Sequence, residues 1–364
     1  MRICVLGAAS SNHVVQRAAV FRDFGHAVTL VSPTEGSASG LDTVKCARGG
    51  RGRMAWLLYV LAAVRVRHAD VFHAHYAAEL TTWAAWLLGK RPLVITVMGG
   101  DVLFDEQGSL GPVGRWLTQR ALKDADLVTV KSPMLGDVVA SFGVARERIM
   151  DVVWGVDRRV FSPDPAGAKA RRNAWGTPLD AKILFSPRML KPLYNQVLMV
   201  EAFAKIVERE PDAVLVMSTY QEDAPWRARV EVRAAELGLE GKLFFVPAVN
   251  MADMAASYSA ADVVLSLPPS DGTPQSVMEA MACGAPVVMT DLERFKPLFT
   301  HGETGWFTAL NADAVAAGAL ALLQDDGLHR RMSENAMALV ADKADFETQA
   351  RAVEARLIEL VGRA

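Results

Sequence analysis

Two acids and a helix start fall within one short segment, SDGTPQSVMEAMACGAPVV, Ser270 to Val288. Thr273 suits a helix N-cap and Pro274 the first helical position, while Gly284 can end the helix in the left-handed conformation before Pro286 opens a new strand. The apolar run Val263 to Leu267 just upstream reads as a strand, so the helix begins at a strand's carboxyl end. Backbone N–H groups exposed there, at the positive end of the helix dipole, suit a diphosphate. Asp271 stands in the loop before the helix and Glu279 on its second turn, both within reach of a ligand held over the helix start. A carboxylate accepts well from paired sugar hydroxyls, each charge-assisted bond contributing about 1.5–3 kcal/mol. The same spacing also fits helix capping and a solvated glutamate, and spacing alone does not choose between the two.

The surrounding elements follow a βαβ grammar, with short apolar runs alternating with amphipathic stretches of helical length. Strands are expected at Ile3–Leu6, Val28–Val31, Val71–His73, Leu93–Val97, Leu127–Val130 and Met150–Val153. The pattern restarts at Ile183–Phe185, Val214–Met217, Leu243–Val246, Val263–Leu267 and Val287–Met289. The stretch Phe161 to Ala181, with Pro163, Pro165, Gly167, Gly176 and Pro178, reads as a linker. The expected organisation is an N-terminal Rossmann-like domain over 1–162, a C-terminal one over 163–342, and a final helix over 343–364 that packs back toward the first domain. A chain of 364 residues accommodates this division.

From Asp271 through Glu279 and AMACGAPVV the segment resembles the glycosyltransferase family 4 type enzymes of the GT-B fold, in which an acid, seven residues and a Glu precede such a run. The resemblance implies an α/β GT-B fold, two Rossmann-like domains facing each other across a cleft, and a retaining transfer of sugar from a nucleotide-diphosphate sugar. It implies that Glu279 grips the nucleotide ribose. Asp271, Gly272, Thr273, Pro274, Gln275 and Ser276 would hold the donor sugar and diphosphate. The family usually carries Glu at the first acid; Asp271 is shorter by one bond, about 1.5 Å, which points to a different donor sugar.

A second match is FSPRMLKPLYNQ, Phe185 to Gln196. The family places an Arg just after this strand and a Lys five residues later as a diphosphate clamp. Arg188 fits the first position, but Leu193 occupies the second, so Lys191 or Asn195 is expected to substitute. WGVDRRVFSP (Trp154 to Pro163), HGETGWF (His301 to Phe307) and FGHAVTLVS (Phe24 to Ser32) extend the resemblance over most of the chain. His301 is expected to be structural, and Gly25 to end a helix.

In this architecture the loop Gly7 to His13 follows the first strand and lacks a dinucleotide glycine fingerprint. By resemblance Ser10, Ser11, Asn12 and His13 are acceptor or phosphate contacts, with capping of the next helix as the alternative. Relatives often have His before a Gly-x-Asp that touches the donor sugar. Here Met98 precedes Gly99, Gly100 and Asp101, leaving backbone groups at 98–100 for that contact. Asp101 is a candidate acceptor-side base or positioning carboxylate, against helix capping, and His75 a candidate acceptor contact, against a core histidine.

Asp124 and Asp126 imitate a metal-binding Asp-x-Asp, but their place between helix and strand favours capping, and no metal or cofactor is expected. The formal net charge of −2 gives no reason to expect a nucleic-acid partner. Residues 1–160 are nonetheless basic, with 19 Lys and Arg against 14 Asp and Glu. From Lys45 to Arg67 that charge flanks the apolar run Met54 to Val64, either a core-facing helix with solvated ends, the reading favoured here, or a peripheral membrane contact near a lipid-linked acceptor. No segment reads as a signal peptide or a membrane span, and Cys4, Cys46 and Cys283 read as reduced thiols. The expected location is cytoplasmic, with the inner face of the cytoplasmic membrane as a variant of it. The expected role is bacterial surface polysaccharide or glycolipid synthesis. A sugar-nucleotide epimerase and a non-catalytic sugar-nucleotide-binding protein are the competing readings.

Overall fold

The computed structural model describes every residue except Ser37, Ser39, 105–109, Leu179, Gly272, Thr273 and Ala364. The chain divides into two units, Met1–Trp154 with Glu347–Ala364, and Gly155–Phe346. The first contains β1 (Arg2–Leu6), α1 (Asn12–Asp23), β2 (Ala27–Ser32), β3 (Asp42–Lys45), α2 (Arg53–Arg65), β4 (Val71–His75), α3 (Leu80–Leu87), β5 (Leu93–Thr96), α4 (Pro112–Asp124), β6 (Leu127–Val130), α5 (Pro133–Ser141) and β7 (Ile149–Asp151). The second contains α6 (Pro165–Trp175), β8 (Ile183–Ser186), α7 (Gln196–Val207), β9 (Val214–Ser218), α8 (Ala224–Glu236), β10 (Leu243–Val246), α9 (Met251–Ala260), β11 (Val263–Ser266), α10 (Gln275–Ala282), β12 (Val287–Thr290), β13 (Trp306–Thr308), α11 (Ala312–Gln324) and α12 (Asp326–Lys343). A last helix, α13 (Phe346–Arg363), returns to the first unit, where Glu354 pairs with His26 at 2.6 Å and Arg351 lies 3.5 Å over the Phe24 ring.

Both sheets are wholly parallel, ordered β3-β2-β1-β4-β5-β6-β7 and β10-β9-β8-β11-β12-β13. Helices cover both faces of such sheets, which is why β1, β4, β5, β6, β8, β9, β11 and β12 are buried almost without interruption rather than alternately. The strand order reverses between β1 and β4 in one sheet and between β8 and β11 in the other. Loops leaving the carboxyl ends of neighbouring strands diverge at such points and leave a crevice where ligands bind.

The proline- and glycine-rich stretch after Phe161 is not a linker. Asp164 accepts from Gly167 N at 2.9 Å as N-cap of α6, Pro165 starts that helix, and Gly176 (φ 71°) ends it. Arg172 then donates to Asp262 at 2.9 Å and to the carbonyl of Ala260 at 3.1 Å, fastening α6 inside the second unit. The prolines and glycines punctuate a helix instead of interrupting structure. Gly155, nearby, is required for its size: a Cβ there would fall inside the Ala344 carbonyl.

Two further expectations are corrected. The helix after β11 begins at Gln275, with Pro274 at the N-cap position and no side-chain cap, so Pro274 is not its first residue; Thr273, the expected cap, lies outside the described residues. Helix α2 is not simply core-facing. Val60, Ala63 and Val64 are buried, but Met54 and Leu58 are 68% and 59% exposed. Strand β3 escaped sequence reading because it is four half-exposed residues at a sheet edge. Among the described residues no helix is long and apolar enough to cross a membrane.

Candidate functional site

In the second unit the β8/β11 reversal gathers most of the expected donor residues. Arg188 follows β8 and Asp271 follows β11; Nη1 of the arginine lies 2.8 Å from Oδ2 of the aspartate, both side chains being about one-sixth exposed. The same Nη1 donates to Ser276 Oγ at 3.0 Å, on the first turn of α10, and Nη2 donates to the Tyr194 hydroxyl at 3.2 Å. The guanidinium also lies 4.5 Å over the Tyr194 ring. Burial works against its charge, but the Asp271 carboxylate and Tyr194 outweigh that and hold its pKa above the ordinary arginine value. The result is a permanent cation fixed at the start of a helix.

Glu279 lies one turn along α10 from Ser276, on the same face. It accepts from the buried Tyr258 hydroxyl at 3.0 Å. Burial raises its pKa to about 7, against the opposing effects of Tyr258, Gln275 and Arg188. Gln275 also donates to the carbonyl of Gly155 at 2.8 Å, and Arg294 donates to the Asp271 carbonyl at 2.8 Å.

The loop after β8 is stapled in place. Asn195, in the left-handed conformation (φ 57°), donates from Nδ2 to the Leu267 carbonyl at 2.8 Å, joining the loops that carry Arg188 and Asp271. Buried Gln196 donates to the Met189 carbonyl and accepts from Trp226, each at 2.8 Å. Lys191 is partly exposed on this loop, and Leu193, at the position of the family lysine, is 48% exposed.

In the first unit the corresponding reversal is bordered by the loops after β1 and β4. Ser10 meets Thr34 at 3.1 Å between hydroxyls, Ser11 occupies the N-cap position of α1 without a side-chain bond, and Asn12 and His13 open the helix, exposed. His13 is pushed below its ordinary pKa by burial of its ring and by the charges of Arg17 and Lys131. Arg17, one turn further, is only 5% exposed; its Nη1 donates to Met98 Sδ at 3.1 Å and its guanidinium lies 4.5 Å over the Trp154 ring. At the end of β4, His73 and His75 are buried with rings 4.4 Å apart. His73 Nε2 bonds Thr96 Oγ1 at 2.8 Å, while neither ring nitrogen of His75 has a partner among the described residues. Burial lowers His73 to about 3 and His75 well below its ordinary value, so both are neutral.

Asp101 is 1% exposed and caps no helix. Its Oδ2 accepts from Ala77 N at 2.6 Å and its Oδ1 from Met98 N at 3.0 Å and Gly99 N at 2.8 Å, joining the loops after β4 and β5. Burial raises its pKa against those three bonds. The carboxylate thereby ties the two loops together. Asp124 and Asp126 also do not cap: they accept from Trp86 Nε1 at 2.8 Å and Leu93 N at 2.7 Å. His301 accepts from Phe307 N at 2.9 Å and shapes its own loop.

Family models for group 1 glycosyl transferases and for glycosyltransferase family 4 match residues 168–338 and 10–160. The chain belongs to the family 4 type, group 1 glycosyltransferases. This glycosyltransferase is 28% identical to D-inositol 3-phosphate glycosyltransferase of Corynebacterium efficiens over 74% of its own length and 66% of that protein's. It is also 28% identical to N-acetyl-alpha-D-glucosaminyl L-malate synthase of Bacillus anthracis, over 73% of its length and 68% of that protein's. The chain thus spans about two thirds of the length of these curated relatives. Among solved structures, Anabaena HepE in complex with UDP-glucose superimposes with a TM-score of 0.81 at 18% identity, over 99% of this chain and 100% of that one. Sucrose-phosphate synthase from Thermosynechococcus elongatus gives 0.78 at 20% identity, over the whole of both chains. The fold of the glycosyltransferase is therefore GT-B.

The second unit brings together Arg188, Asp271, Ser276, Gln275 and Glu279, with Lys191 and Asn195 on the adjoining loop; Gly272 and Thr273 lie outside the described residues. Met98, Gly99, Gly100, Asp101, His75 and Ser10 to His13 all belong to the first unit. Sequence reasoning missed Tyr258 and Arg294, which reach the site only through the fold, and Tyr194, which stands six residues after Arg188 in the segment already singled out. It also missed Arg17, whose signal was a charge on the helical face otherwise formed by Val14, Ala18 and Phe21.

Proposed function

We propose that this glycosyltransferase moves a sugar from a nucleoside diphosphate sugar to an acceptor hydroxyl with retention at the anomeric carbon, without a divalent ion. One observation carries the reading: the Arg188–Asp271 pair closes over the uncapped start of α10, with Glu279 one turn further along. Arg188, Lys191 and the amides of Gln275 and Ser276 would hold the diphosphate and stabilise its charge as the glycosidic bond breaks. Asp271 and the diphosphate then compete for one guanidinium, and the displaced carboxylate turns to the donor sugar's hydroxyls. Glu279, ionised, accepts from the ribose hydroxyls. Met98, Gly99 and Gly100 meet the donor by backbone atoms, while Asp101 positions that loop. Ser10, Ser11, Asn12, His13 and His75 belong to the acceptor side. The presence of UDP-glucose in Anabaena HepE supports a sugar nucleotide donor.

In this reading the acceptor belongs to bacterial surface polysaccharide or glycolipid synthesis, met at the inner face of the cytoplasmic membrane. Exposed Met54 and Leu58 on α2, with exposed Arg48, Arg51 and Arg53 before and at the helix start and Arg65 at its end, support a peripheral contact with anionic lipid. Incubation of the protein with a panel of sugar nucleotides, with and without membrane lipid extract, tests the reading. Acceptor-dependent release of nucleoside diphosphate supports it. Conversion of the donor without acceptor indicates an epimerase, and binding without turnover a non-catalytic protein.

A further inference from the structure

Arg17 is a guanidinium at 5% exposure with no carboxylate paired to it among the described residues. Its two contacts, the Met98 thioether and the face of Trp154, are a weak acceptor and a ring quadrupole. Neither neutralises a cation, and among the described residues one of five N–H donors is used. A buried charge left in that state is costly unless a counter-charge arrives. Asp101 forms no ion pair with Arg17 among the described residues; its oxygens accept from the amides of Ala77, Met98 and Gly99.

The surroundings of Arg17 add one further cation and two imidazoles. His13 lies one turn earlier on α1, at the solvent-exposed rim, and feels the charges of both Arg17 and Lys131. Lys131, at the end of β6, reaches Gly99: its Cε would lie 3.8 Å from a Cβ placed there. His75, fully buried, keeps both ring nitrogens unpartnered among the described residues, and a neutral imidazole can donate one hydrogen bond. Arg17 and His13 on α1 and His75 on β4 border the β1/β4 reversal of the first sheet, where the parallel-sheet rule places a ligand, and Lys131 reaches toward it from the end of β6. A planar fork of donors in a basic crevice matches a phosphate or carboxylate.

We infer that Arg17, with His13 and Lys131 at its mouth, forms a small-oxyanion site that seats a phosphate or carboxylate group carried by the acceptor. The word acceptor rests on the glycosyl-transfer reading; the anion site itself does not. Arg17 holds the oxyanion at the floor and aligns the acceptor hydroxyls above it. Burial lowers the Arg17 pKa only to about 9, so the charge persists at neutral pH.

The test is calorimetric titration of the full chain, saturated with UDP, with inorganic phosphate and with succinate at low ionic strength, glycerol serving as neutral control. Phosphate and succinate should bind and glycerol should not. Arg17→Gln should weaken both anions at least tenfold and leave UDP affinity unchanged. His13→Glu, a charge reversal at an exposed position, should also weaken them at least tenfold, and carries the test if Arg17→Gln does not fold. Unchanged anion affinity in a folded Arg17→Gln or in His13→Glu, or no anion binding by the native chain, overturns the inference. Loss of UDP affinity in Arg17→Gln with succinate unaffected would assign the guanidinium to the donor diphosphate and overturn it too. Should UDP not bind the native chain, the glycosyl-transfer reading fails separately, and the same anion titrations without nucleotide still decide Arg17.

Discussion

Nη1 of Arg188 lies 2.8 Å from Oδ2 of Asp271, so a cation after one strand and an anion after the next lock together over the start of α10. The pair neutralises a guanidinium that burial would otherwise disfavour. It also sets the geometry a phosphate oxygen would meet.

If that guanidinium stabilises a leaving diphosphate, its removal acts on the chemical step. Arg188→Ala should lower kcat by about two to three orders of magnitude, the scale for deleting one such donor. Steady-state kinetics with the donor identified by the panel checks it. A kcat within a few-fold of native would contradict the role.

Glu279 carries a pH signature. Its pKa is raised from 4.5 to about 7, so between those values the folded chain holds a proton that the unfolded chain has released. Stability therefore falls as pH rises through that window, and is fully regained only below the unfolded value. Glu279→Gln should remove this dependence, gaining about 1–3 kcal/mol over native at pH 8 relative to pH 5 by denaturant titration. The same variant should weaken nucleotide binding at pH 8, whereas native affinity should decline as pH drops below 7.

How much of this was legible in the sequence depended on where each contact lies along the chain. Strands buried on both faces announce themselves as apolar runs, and β6, buried throughout, was read to the residue. The motif around Glu279 was equally plain, because its residues follow one another along a single loop and helix. Tyr258 approaches that helix through packing, which no spacing encodes, whereas Tyr194 lies six residues beyond Arg188 in the same segment. The stretch after Phe161 misled because Pro165 and Gly176 mark the ends of a helix as readily as a flexible link.

Asp101 distinguishes an anchor from a base. Asp101→Ala leaves the amides of Ala77, Met98 and Gly99 without their acceptor and should destabilise the first unit by about 3 kcal/mol or more. Urea unfolding measures this. A variant of native stability but no turnover would instead make Asp101 a catalytic group.

The face of α2 can be tested without disturbing the core. Leu58→Glu, at a position 59% exposed, should change stability by less than about 0.5 kcal/mol and reduce sedimentation with phosphatidylglycerol vesicles several-fold. Equal sedimentation of both proteins would remove the membrane contact from the account.

The most direct measurement compares nucleoside diphosphates with their nucleosides by calorimetry, and reads backbone amide exchange over residues 188–196 and 275–282. The account predicts that one diphosphate binds at least a hundredfold more tightly than its nucleoside and slows exchange in both segments. No heat with UDP, GDP, ADP or any other common nucleoside diphosphate, or equal affinity for a diphosphate and its nucleoside, would contradict it.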